Sequence, residues 1–101
     1  MNFMKKFKVK LHGKNFFLNL DGEPKKLGFY ARRFVKAESP EEAEKIAVIL
    51  THHNPNLRKT LLNENDDRPK INLEEIKEIS FLKFFAKKST TDFTFYSEDE
   101  D

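Results

Sequence analysis

No cysteine occurs in these 101 residues, which removes a disulfide framework, a thiolate metal site and a cysteine nucleophile. Glycine is scarce as well. With three glycines and no G-x-S-x-G, Walker or dinucleotide fingerprint, the sequence argues against a phosphate cradle. Long apolar runs are also missing: the longest, Ile46-Ala47-Val48-Ile49-Leu50, falls far short of the ~20 residues that span a bilayer. The basic start MNFMKKFKVK is followed by no apolar stretch of signal-peptide length. The expectation is a soluble, cytoplasmic protein with no cofactor and no membrane partner.

What the chain does have is charge and phenylalanine. Only 38% of residues are hydrophobic against 36% charged, and eleven phenylalanines make up much of the apolar content. Large rings bury much area per residue, which suits one domain with one modest core. The net charge of +2 conceals an asymmetry. Residues 1–36 carry ten Lys and Arg against two Asp and Glu, whereas residues 37–101 carry nine against fifteen.

The stretch FKVKLHGKNFFLNL alternates in a way that predicts a hairpin turning at Gly13-Lys14. Counting outward pairs Leu11 with Phe16, Val9 with Leu18 and Phe7 with Leu20 on an apolar face. Lys6, Lys8, Lys10, His12, Asn15, Phe17, Asn19 and Asp21 fall on the other. A one-residue slip would destroy that separation. DGEP at 21–24 reads as a second turn, and LGFYARRFVKA at 27–37 as a third strand alternating Phe29, Ala31, Arg33, Val35 and Ala37 with Tyr30, Arg32, Phe34 and Lys36.

Ser39-Pro40-Glu41-Glu42 combines a serine N-cap, a proline at the first helical position and a capping-box glutamate. Ala43, Ile46, Ala47 and Leu50 continue it as a helix over 40–53, with Asn54 placed to cap a short second turn. Residues 71–81 fit a strand better than the helix that Leu73, Ile76 and Ile79 also allow. The aromatic segment that follows is too apolar to leave in water and is expected to dock on the domain. The fold expected is α+β: an antiparallel sheet with one helix packed on one face, order β-β-β-α-β. Residues 1–96 form the domain, with an acidic, disordered tail at 97–101.

The strings FKVKLHGKNFFLNLDG, GFYARRFVKA and EEAEKIAV resemble a family of small uncharacterised bacterial proteins of about this length, over most of the chain. The resemblance implies a free-standing domain and brings no activity with it.

Chemistry-bearing patterns are sparse. His52 and His53 are adjacent, so near a helix end their side chains diverge by about 100°; a dipole contact explains them better than a metal does. Asp66-Asp67 lacks the spaced ligands of a calcium loop. The most specific pattern is a basic and aromatic sheet face carrying Lys8, Lys10, Phe17, Tyr30, Arg32 and Phe34. It points to a non-enzymatic binding or assembly protein, expected to be a homo-oligomer or to meet a protein partner. Single-stranded nucleic acid is the alternative, since rings stack on bases while cations meet phosphates. A dispersed enzymatic site around His12 is the weakest of the three. The same residues also admit a plain structural role, with the aromatic C-terminal segment lying over Phe17, Tyr30 and Phe34.

Overall fold

A computed structural model describes residues 4–87 and 92–99. In chain order these form β1 (Lys5–Leu20), β2 (Glu23–Ala37), α1 (Pro40–His52), α2 (Pro55–Thr60), β3 (Lys70–Glu78), α3 (Phe81–Lys87) and β4 (Asp92–Ser97). The four strands make one open antiparallel sheet in the order β3-β1-β2-β4.

The chain does not turn at Gly13-Lys14. Gly13 pairs with Phe29 and Phe16 with Leu27, so Lys14 and Asn15 together face the single residue Gly28. This is a β-bulge inside one continuous strand. Asn15 takes the left-handed backbone, φ 61°, which asparagine tolerates better than most residues. The reversal comes at Asp21-Gly22, with φ 54° and 84°, a two-residue loop of the type that favours Asp-Gly between Leu20 and Glu23. Pro24 belongs to the turn expected at 21–24 but not to the observed one. It lies in β2 beyond the reach of β4, where its missing N–H interrupts no ladder between those two strands.

The face assignment nevertheless holds, for a geometric reason. A two-residue turn and a one-residue bulge both shift the alternation by one, so Phe7, Val9 and Leu11 share a face with Phe16 and Leu18 in either arrangement. All five are buried, while Leu20, expected on the same face, is 39% exposed at the strand end, as is Phe17 on the other face. On β2, Phe29, Ala31, Val35 and Ala37 are buried and Tyr30 is exposed, so the two alternating sets fall on opposite faces.

Two apolar clusters lie on the buried face, one on each side of the bulge. Phe7, Val9, Leu11, Val35 and Ala37 meet Ala43 and Ala47 of α1. Phe16, Leu18, Leu27, Phe29 and Ala31 meet Leu57 of α2, with Phe93 of β4 against them. Ser39 Oγ accepts the Glu42 N–H at 3.2 Å, and Asn54 Oδ1 accepts from Asn56 and Leu57 at 3.0 and 3.3 Å, so both helices start on side-chain caps. The glutamate of the expected capping box reaches one residue further, accepting from the Glu38 N–H at 3.3 Å.

The expected order β-β-β-α-β is therefore corrected to β-β-α-α-β-α-β. Two expected strands merge through the bulge into β1. The aromatic segment supplies α3 and then β4, which extends the sheet at its edge instead of lying across its face. The strand expected over 71–81 is present as β3 but shorter, ending at Glu78 before Phe81 opens α3. Ser97, expected to open the acidic tail, closes β4, and Glu98 still donates its N–H to the Lys26 carbonyl at 2.9 Å. The remainder of the expected tail, residues 100–101, lies outside the described residues.

Candidate binding face of the sheet

Opposite the two apolar clusters, alternate residues of β1 and β2 build the second face. Register brings five of the six expected residues together: Lys8 faces Phe34, Lys10 faces Arg32, and the next pair along is His12 with Tyr30. Phe17 stands apart, beyond the bulge and opposite Lys26. Tyr30 is 38% and Phe17 39% exposed, so the aromatic C-terminal segment does not seal either ring. That segment reaches this face at two places, through Tyr96 of β4, whose ring lies 5.9 Å from Tyr30, and through α3 at one end. Lys6 and Lys36 extend their ammonium groups over the rings of Phe81 and Phe84 at 5.4 and 5.7 Å, which places α3 at the Lys6/Lys36 end.

The face is less basic than its sequence suggests. Glu75 of β3 meets Lys8 at 3.4 Å, and Asp92 of β4 meets Arg32 at 2.7 Å. Lys10 instead lies over the Tyr30 ring at 5.5 Å. Beside these residues a groove of about 310 Å³ is lined by Lys10, Tyr30, Arg32, Asp92 and Thr94.

At the centre, His12 ties three strands together. Its ring stacks on Tyr30 at 4.4 Å with 14° between planes. Nε2 lies 2.6 Å from the Tyr96 hydroxyl of β4, and Nδ1 lies 3.4 Å from Glu74 Oε1 of β3. The Nδ1–H tautomer suits this setting: Nε2 accepts from the phenol while the Nδ1 side faces the Glu74 carboxylate. Desolvation first, then the nearby Glu98 and Tyr30, hold the Tyr96 hydroxyl above the ordinary tyrosine pKa, so it stays a donor. The Tyr96 ring occupies the space a side chain at Gly28 would need.

Tyr96 and Glu74 were not singled out from sequence. The alternation Asp92-Phe93-Thr94-Phe95-Tyr96 carried a period-two signal for Tyr96. Glu74 was hidden by a second irregularity: Lys10 pairs with Glu75 and Leu11 with Leu73, leaving Glu74 between them. The bulge on β1 anchors its surroundings too. The Asn15 N–H donates to Glu98 Oε1 at 3.1 Å, the Asn15 side chain donates to Asp67 Oδ1 at 2.9 Å, and Asn63 donates to the Asn15 carbonyl at 2.8 Å. The acidic end of β4 thus meets its own chain here, and Asp99 also accepts from the Lys26 N–H at 3.4 Å.

The histidine pair does not converge on a ligand site. His52 packs its ring 6.4 Å from Phe16. Partial burial, with a smaller contribution from His53, lowers its pKa. Among the described residues no group of three or more metal-ligating side chains comes together, and no helix is long and apolar enough to cross a membrane. Comparison with family models, curated proteins and solved structures finds no match, so function has to be read from these residues themselves.

Proposed function

We propose that this protein is a non-catalytic binding and assembly protein that works through its sheet and associates with further copies of itself. The observation that carries the reading is the open face, where Tyr30, 38% exposed, stands among paired charges and Phe17, 39% exposed, lies further along the same face beyond the bulge. Rings beside ion pairs of both signs suit a protein surface, which offers apolar groups and both charges in return. The engagement of both His12 nitrogens supports a holding role for that residue rather than proton transfer.

Single-stranded nucleic acid remains the competing reading because Lys10 and Tyr30 stand together on the face. The carboxylates of Glu75 and Asp92 oppose it, since each offsets a cation that a phosphate would need. Sedimentation velocity across a concentration series separates the two. The assembly reading expects a mass that rises to a multiple of the monomer, with no binding of labelled oligothymidylate or oligouridylate at low salt. A constant monomer mass overturns it. Oligonucleotide binding that weakens steeply with salt and is lost in Phe17→Ala with Tyr30→Ala establishes the alternative.

A further inference from the structure

The sheet has two outer edges, and they differ. β3 is irregular at Glu74 and carries Lys70, Glu74, Glu75, Lys77 and Glu78, the features by which edge strands avoid pairing. β4, DFTFYS, has no lysine or proline and pairs with β2 without any register shift. Among the described residues nothing pairs with its outer side.

The free backbone groups of that edge can be placed. Because the Glu98 N–H bonds to Lys26, alternation directs the N–H and C=O groups of Tyr96, Thr94 and Asp92 toward β2, and those of Phe93, Phe95 and Ser97 outward. Each side of the edge is hollow. On one face Asp92 and Thr94 border the 310 Å³ groove with Lys10, Tyr30 and Arg32. On the other, Phe93 and Phe95 border a trough of about 460 Å³ that Leu18, Leu20 and Leu57 also line.

We infer that β4 is the self-association edge, pairing antiparallel with β4 of a second copy about Thr94. The inference rests on the assembly reading above and names its contact. In this register Phe93 faces Phe95 of the other copy, with the outward backbone groups bonded to each other. Apolar rings then meet on the trough side, and Thr94 meets its own counterpart. Charge is complementary along the same axis. The Asp92 end lies beside Arg32 and Lys10, whereas the Ser97 end leads into Glu98 and Asp99. An antiparallel pair directs the Glu98 and Asp99 end of each copy toward the Arg32 and Lys10 end of the other, with Asp92, which holds Arg32, between them.

The absence of native cysteine makes the register directly testable. Directly opposed residues of a non-hydrogen-bonded pair have Cα atoms about 4.5 Å apart, within the range a disulfide spans. Thr94→Cys, incubated with oxidised glutathione, is expected to give mostly covalent dimer, while Ile49→Cys on the exposed face of α1 stays mostly monomeric. Phe95→Lys is expected to abolish dimer in sedimentation, and because its ring also packs 5.6 Å from Phe29, a circular dichroism melt is run beside it to show that the variant still folds. A wild-type dimer whose Thr94→Cys variant cross-links no better than Ile49→Cys overturns the β4 contact and leaves the assembly reading standing. A strictly monomeric wild type overturns both.

Discussion

Gly13 is small because Phe29 needs its space. A Cβ at this position would sit 2.4 Å from the Phe29 ring, which is fully buried in the cluster with Phe16, Leu18 and Leu57. Gly13→Ala is therefore expected to destabilise the protein by about 1–3 kcal/mol, the range for forced overpacking. Urea unfolding checks it, and an unchanged midpoint would remove the packing explanation for this glycine. His52 gives a pH dependence. Its folded pKa lies below the ordinary 6.5, so on acidification the unfolded chain takes up a proton first. Stability should fall as pH drops below about 6.5, and His52→Gln should flatten that part of the profile. Individual residues were legible in sequence where burial alone decided them. Arg33 was placed on the buried face by alternation without a stated partner. Its Nε donates to Oγ1 of the fully buried Thr51 at 2.7 Å, a pairing between distant segments that no local pattern announces.

Among the elements, the bulge does most to organise the sheet. It restores inward orientation to Phe16 and Leu18 after the inward row Phe7, Val9, Leu11. Deleting Asn15 would make β1 regular and turn Phe16, Leu18 and Leu20 toward the open face. The expected outcome is loss of a cooperative thermal transition by circular dichroism. A variant that melts near the wild type would show that the register is set elsewhere. The same feature explains what could be read from sequence here. The sorting of residues onto faces was legible because hydrophobic alternation reports parity, and parity is common to turn and bulge. The connection itself was not legible, because Gly-Lys and Asp-Gly both lie between alternating runs and only tertiary contacts, including those of Asn63 and Asp67 with Asn15, choose between them. Strand β4 is obscured for another reason: its alternation of Phe93 and Phe95 with Thr94 and Tyr96 spans only six residues in a segment so rich in rings that it reads as apolar bulk.

At the scale of the molecule, the 16-residue β1 sets the shape. At about 3.3 Å per residue a strand of this length approaches 50 Å, and the longest axis is 49 Å against 26 and 22 Å. The radius of gyration, 15.0 Å, exceeds the ~13 Å of a compact chain of this size. A long, narrow sheet leaves one face and two edges incompletely covered by three short helices. Five of the six expected binding residues were brought together because they lie on paired strands, while the carboxylates that moderate their charge come from β3 and β4 and were invisible until the topology was known.

Small-angle X-ray scattering across a concentration series tests the central claim, assembly through the sheet, most directly. The account predicts that forward scattering per unit mass rises toward twice the monomer value, with the radius of gyration climbing clearly above 15.0 Å. A radius that stays near the monomer value, with mass-normalised forward scattering constant at every concentration, would contradict it.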